Sequence, residues 1–282
     1  MASNIGNRLR LAKRGALVFV MLLIVTIATA LLLQHPSNHR RWIVGQQVLP
    51  AATFRGDSVI IRAVRNFSYA KDGTPFPNYE TRAYDLSRIE TAWFILAPFE
   101  SDNRGPAHTF LSFGFSDSQF VAVSVESRRE INEDYSILRG LLRSYELMYV
   151  VGDERDLIGL RVTRGDQVYV YPIKAAKEKV RRLFVQMLER ANHLSDNPEF
   201  YNTLTNNCTT NILHHANSIA THQIPYGREV LLPGYADELA KRLGLLDTDL
   251  SIEEARRRYY VNERAIAYAR DPFFSVKIRN SQ

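Results

Sequence analysis

Nineteen consecutive residues without a charge, Gly15 to Leu33 (GALVFVMLLIVTIATALLL), limit what this chain can be more than any other feature. A helix of about 20 residues, rising 1.5 Å per residue, spans the roughly 30 Å hydrocarbon layer of a bilayer. Arg8, Arg10, Lys13 and Arg14 precede the run, and Arg40 and Arg41 follow it. The denser positive flank predicts a cytoplasmic tail, 1–14, a transmembrane anchor, 15–33, and the rest of the chain across the membrane. Ala28-Thr29-Ala30 resembles a signal-peptidase site, yet Leu31-Leu32-Leu33 continues the apolar run past it, which favours an uncleaved anchor. No cysteine stands near the end of the run, so lipoprotein processing is not expected. Nothing downstream approaches 18 apolar residues, and a single span is expected.

The formal net charge of +6 suggests a nucleic-acid partner until its location is considered. Residues 1–41 hold six basic residues and no acid, which leaves 30 basic residues against 30 acidic ones in the remainder. The body is neutral, and no nucleic-acid partner is expected. A chain of 282 residues with 45% hydrophobic content suffices for one globular domain. With one cysteine, an internal disulfide cannot form in an oxidising compartment.

Residues 34–56 carry Pro36, Pro50 and little pattern, and read as a spacer; the globular domain is expected over 57–282. The β-branched run at Asp57–Tyr69 reads as a strand. Strands follow in Tyr79–Phe99, with a short helical turn at Asp85–Ile89, and loops are signalled at Lys71–Asn78 and Asp102–Pro106. His108–Phe115 and Gln119–Ser127 form the clearest hairpin, joined by Ser116-Asp117-Ser118. Further strands are expected at Glu146–Val151, Leu157–Arg161 and Gln167–Ile173. Helical periodicity then takes over: 175–195, about 208–221, 235–243 and one long helix over 251–270 starting from the box-like Ser251-Ile252-Glu253-Glu254. The tail Phe273–Ile278 reads as a returning strand. The class is α+β, an antiparallel sheet packed on helices.

The only cysteine lies in Asn206-Asn207-Cys208-Thr209-Thr210-Asn211, where small polar residues give way to a helix. Unpaired N–H groups and the positive dipole end at a helix start favour a thiolate. A lone cysteine can equally be structural, so the reading turns on finding a base. His35 and His39 lie in the spacer, and His193 suits the end of its helix. His214 and His215 share the cysteine's own helix, His215 two turns or about 10 Å away. No spacing matches a zinc pattern, so neither metal nor cofactor is expected. His108 differs, because it opens a strand that would hold an imidazole rigidly. On the partner strand His108 would oppose Ser127, with Glu126 on the opposite face; a one-residue register change would reverse that parity. Glu126 is chemically the best orienting group, although Glu126 with Arg128 or Arg129 also reads as a structural ion-pair cluster.

Four blocks in order, Ala107–Phe115, Ser124–Glu130, Tyr145–Tyr149 and Tyr201–Thr210, resemble the DUF4105 family, also described as the N-terminal periplasmic domain of Lnb, a bacterial lipoprotein N-acyltransferase. The resemblance covers about 55–245. The order of histidine first and Asn-Cys at a helix start also resembles circularly permuted members of the NlpC/P60 papain-like superfamily. It implies Cys208 as nucleophile and His108 as base, in a domain held on the periplasmic face of a bacterial inner membrane. Glu126 as third residue is our own inference. By the family's activity, Cys208 would take a fatty-acyl group from a lipid-modified protein as a thioester and pass it to an amine. The backbone N–H of Cys208 would supply half of an oxyanion hole, with Asn206 or Asn207 as second donor. Lnb-type acyltransferases carry further spans after this domain, which this chain lacks, so acyl hydrolysis stays open. So do a cell-wall peptidase or amidase of NlpC/P60 type and a non-catalytic envelope protein that binds a lipid or partner.

Overall fold

The computed structural model describes residues 2–70, 72–99 and 105–280; the expected loops lie partly outside these residues, at Lys71 and at Asp102–Arg104. The chain divides into two units, Met1–Ser37 and Asn38–Gln282. The first is one helix, α1 (Ala2–Leu33), whose segment Lys13–Leu33 is long and apolar enough to cross a membrane and has no buried residue. An unbroken helix over five uncharged turns satisfies its backbone hydrogen bonds internally, which a lipid environment demands.

In the second unit the order is β1 (Ala51–Arg55), β2 (Ser58–Arg65), β3 (Ser68–Tyr69), β4 (Pro75–Phe76), β5 (Tyr79–Asp85), β6 (Ile89–Pro98), β7 (Ala107–Phe115), β8 (Phe120–Arg128), α2 (Ile137–Leu141), β9 (Glu146–Gly152), α3 (Glu154–Thr163) and β10 (Tyr169–Pro172). Helices complete it: α4 (Lys177–Asp196), α5 (Cys208–Ile219), α6 (Arg228–Leu231), α7 (Ala236–Arg242), α8 (Ile252–Tyr259), α9 (Asn262–Ala267) and α10 (Phe274–Lys277). The main sheet runs β1-β2-β9-β8-β7-β6-β10, with β5 also on β2. Its ladders are antiparallel except the single parallel pairing of Arg65 with Gly152. The α+β class is as expected.

Every residue of β7 and of β9 is buried, so neither strand shows a solvent face. The reason is that helices cover both sides of the sheet. On one side Leu111, Phe113 and Tyr149 meet the α4 stripe of Val180, Leu183, Phe184, Met187 and Leu188, spaced for one helical face. On the other, Phe110, Ala122 and Met148 meet Leu157 and Ile158 of α3, with Val261, Phe274 and Ile278 beyond.

Four expectations are corrected. Leu157–Arg161 is helix, not strand: Asp153 caps it by accepting from the Arg155 N–H, and Glu154 and Asp156 sit in its first turn. The long helix over 251–270 is two helices. Its capping box, Ser251 with Glu254, forms as expected, but the Val261 N–H turns aside to the Val168 carbonyl at 3.0 Å and ends the run. The tail Phe273–Ile278 is a helical turn that buries Phe274 and Ile278, four residues apart. Finally, the stretch expected as a spacer is built into the domain from Asn38 onward. The Arg128 guanidinium lies 4.2 Å from the ring centre of buried Trp42 and donates to the Asn38 side chain and to the Gln46 and Gln47 carbonyls. Arg40 bridges Glu130 and Glu146 at 3.0 Å each.

Candidate active site

The cysteine helix starts where its cap chemistry places it. Asn207 is the N-cap of α5: its side-chain oxygen accepts from the Thr210 N–H, and the Thr210 hydroxyl accepts from the Asn207 N–H at 2.8 Å. Cys208 is therefore the first helical residue, among N–H groups that the helix itself leaves unpaired. The Thr109 and Thr209 hydroxyls, 3.1 Å apart, join α5 to β7 beside it. The thiol is buried, at 8% exposure.

His108, second residue of β7, stacks on Phe110 with ring centres 5.5 Å apart, which fixes the imidazole plane. Phe110 pairs with Ser124 across the β7–β8 hairpin, a register that carries on to set His108 against Glu126. This is one residue away from the expected pairing with Ser127, and it brings Glu126 to the same face as His108. The His108 Nε2 lies 2.7 Å from the Ser124 hydroxyl and 3.2 Å from Glu126 Oε1, and the Ser124 hydroxyl donates to that same oxygen at 2.8 Å. Arg161 of α3 holds Glu126 from the far side, with Nη2 at 3.2 Å from Oε1.

The electrostatics follow from these neighbours. Burial pushes the Cys208 thiol up, but the His108 ring, through hydrogen bonding and charge, and the Thr109 N–H outweigh it, and the pKa falls from 9.0 to about 7. Burial and the Arg161 charge push His108 down, yet Glu126 and Cys208 overcome them and hold the imidazole above its ordinary value. Burial would raise Glu126; His108 and Arg161 bring it well below the usual carboxylate range. Each group thus favours the charged form of the next. A thiolate–imidazolium pair backed by a carboxylate can attack an acyl carbonyl and protonate the leaving group.

The three residues open onto a cleft of about 320 Å³ that Tyr135, Tyr201, Arg129, Arg161 and Arg164 also line. The Tyr135 and Tyr201 hydroxyls are 3.3 Å apart. Burial and the nearby Cys208 charge push the Tyr201 phenol up, so it stays protonated as a donor. Asn206 and Asn207, expected as oxyanion donors, are spent elsewhere. The Asn206 amide donates to the Phe200 carbonyl at 2.9 Å, and the Asn207 amide donates to the Thr203 carbonyl. Both brace the loop that delivers Cys208. Among the described residues no group of three or more His, Cys, Asp or Glu is placed to hold a metal. His215, two turns along the same helix, lies 2.8 Å from the Tyr149 hydroxyl.

Sequence reasoning missed Ser124, Arg161, Tyr135 and Tyr201 as members of this site. Ser124 was legible in principle, two residues from Glu126 and so on the same face of a strand. Arg161 was hidden by the strand reading of its segment.

The family model for the Lnb N-terminal periplasmic domain matches residues 75–234, more than half of the chain. The chain belongs to that family. The matched region of this Lnb-type protein contains His108, Glu126 and Cys208 alike. Neither the curated proteins nor the solved structures contain a match. A periplasmic domain with one N-terminal apolar helix fits membrane association.

Proposed function

We propose that this Lnb-type protein is a thiol-dependent acyltransferase or acyl hydrolase, held on the periplasmic face of the bacterial inner membrane by an uncleaved α1, and acting on the acyl chains of lipid-modified proteins. The observation that carries the reading is the buried His108 ring, held by Ser124 and Glu126 in the cleft that Cys208 also lines, whose hydrogen bonding and charge bring the thiol down to about 7. A helix-start cysteine served by a strand-start histidine that precedes it in the chain also supports reading the domain as a circularly permuted papain-like fold, a cousin of the NlpC/P60 enzymes.

In this mechanism the Cys208 thiolate attacks the ester carbonyl, and the C–O bond breaks as the imidazolium of His108 gives its proton to the departing alkoxide. The product is a thioester on Cys208. An amine, or water in the hydrolytic case, then attacks; His108 takes its proton and the thiolate leaves. The Cys208 N–H at the helix start and the Tyr201 phenol, which lines the same cleft, serve as donors to the oxyanion. Glu126 is a positioning residue that keeps Nε2 occupied and the ring charged.

The test incubates the full-length protein in a neutral detergent with a diacylated lipopeptide and reads the protein by mass spectrometry. A mass gain of one acyl chain at Cys208, absent in Cys208→Ala and strongly reduced in His108→Ala, is expected. Labelling at Cys208 that is indifferent to His108 would defeat the proposal.

A further inference from the structure

The cleft beside the thiol carries more positive charge than its acids neutralise. Its walls set Arg129, Arg161 and Arg164 against Glu126 and Asp166. The same three arginines and Glu126 also line an adjoining cavity of about 410 Å³, so two hollows share one basic wall. Asp166 is the weaker of the two acids, because burial pushes its carboxyl up.

Arg161 has its partners, Glu126 at 3.2 Å and Asp166 at 3.8 Å. Arg129 and Arg164 do not: among the described residues no carboxylate lies within salt-bridge distance of either. They approach from different elements. Arg129 follows the last residue of β8, and Arg164 caps the end of α3. Desolvation and the charges of Arg161 and Arg129 hold Arg164 below its ordinary value, with Glu126 and Asp166 acting against them. Two guanidinium groups that line one cleft, neither within salt-bridge distance of a carboxylate, are a receiver for a planar or tetrahedral oxyanion, which each can grip through paired N–H donors.

We infer that Arg129 and Arg164 form a subsite for a compact oxyanion, phosphate or carboxylate, carried by the acyl substrate and seated beside Cys208 in the same cleft. The inference rests on Cys208 being the nucleophile. With the oxyanion on the arginine wall and the ester carbonyl at Sγ, the substrate carries a phosphate or carboxylate in the same cleft as the acyl ester that Cys208 attacks. The arginines are positioning residues; they touch the substrate's charge and not the bond that breaks.

The experiment compares iodoacetate with iodoacetamide as alkylators of Cys208 in the full chain at pH 7, the first reagent anionic and the second neutral. Their rate ratio cancels changes in thiol reactivity common to both. In the R129Q/R164Q double variant the ratio is expected to fall about tenfold, the low end of what focused charge does to encounter rates. A ratio unchanged by the two substitutions overturns the subsite while leaving the nucleophile standing. A wild-type thiol inert to both reagents defeats the nucleophile reading instead. Should the double variant fail to fold, wild-type protein decides: inorganic phosphate should slow the iodoacetate reaction relative to chloride at equal ionic strength, and no slowing overturns the subsite. Vesicles of phosphatidylglycerol, against vesicles of neutral diacylglycerol in a sugar-headgroup lipid, then separate the sources. Protection by the anionic vesicles assigns the oxyanion to a lipid headgroup; protection by free phosphate alone assigns it to a soluble ester.

Discussion

Two buried histidines, His108 on β7 and His215 on the cysteine helix itself, are pushed in opposite directions by their environments. His108 and His215 are 6% and 5% exposed, and each has one ring nitrogen at a hydroxyl, Ser124 at 2.7 Å and Tyr149 at 2.8 Å. Burial, followed by the charges of His214 and Arg190, takes His215 down to about 4. His108 also suffers desolvation and an arginine, Arg161, yet is raised, because Glu126 and the thiol stand against them. Burial with a hydroxyl therefore makes a neutral structural imidazole. Burial with a carboxylate, relayed through a hydroxyl, makes a cation able to hold a thiolate.

The largest effect separates the two by deletion. At pH 7 a thiol of pKa about 7 is half ionised. Without His108 only burial and the Thr109 contacts act on it, and the pKa returns to its ordinary 9.0 or above. Iodoacetamide labelling of His108→Ala at pH 7 should then be slower by about fifty-fold, the ratio of thiolate fractions. His215→Ala should label as wild type and lose stability instead, by roughly 2 kcal/mol for the buried ring and its hydrogen bond. The pH profile sharpens the contrast. Labelling should rise with pH through about 7 in wild type and His215→Ala, and only near or above 9 in His108→Ala. Equal rates in the two histidine variants would erase the distinction.

Next comes the carboxylate. In Glu126→Gln the imidazole loses its counter-charge while desolvation and Arg161 still act to neutralise it, so the labelling inflection should move upward and the rate at pH 7 fall about tenfold. The same substitution should show in stability. Glu126 has its folded pKa below the ordinary 4.5, so its contribution is fully present above that value and is lost as pH falls through the depressed one. Wild type should therefore lose stability on acidification below about pH 4.5, and Glu126→Gln should have a flatter acid limb in a denaturant titration. A parallel pair of curves would mean that Glu126 is not ionised in the folded protein.

The same contrast explains which parts of the site the sequence reveals. Cys208 at a helix start and His108 at a strand start are local patterns, written in the cap residues Asn207 and Thr210 and in the hairpin that follows. Glu126 needed one residue of register, and a strand of period two makes that single residue the difference between facing the histidine and facing away. Arg161 needed the right secondary structure for Leu157–Arg161, a short apolar run that periodicity leaves ambiguous between strand and helix. The failure at 34–56 has another origin. Trp42 and Arg40 are held by Arg128, Glu130 and Glu146, 86 to 106 residues further along the chain, and no local pattern reports such contacts. Asn206 and Asn207 misled because their amide N–H groups, open donors in the sequence, are taken up by the Phe200 and Thr203 carbonyls of the preceding loop.

The smallest predicted effect tests whether a hydroxyl partner matters by itself or only through what lies behind it. Tyr149 donates to Asn211 Oδ1 at 3.1 Å and sits by His215, and the nearby Glu199 carboxylate is already paired with Arg190 at 2.6 Å. Tyr149→Phe should cost about 1 kcal/mol. That amounts to a melting shift of about 2–4 °C in a domain of this size, with labelling of Cys208 unchanged. Ser124 differs only in that its own proton goes to Glu126. Ser124→Ala should leave the direct His108–Glu126 pair at 3.2 Å in place and lower the labelling rate a few-fold, more than Tyr149→Phe and less than Glu126→Gln. If Ser124→Ala matches wild type, the carboxylate acts on the ring directly and the serine is only packing. If it matches Glu126→Gln, the hydroxyl is the sole route by which the charge reaches the imidazole.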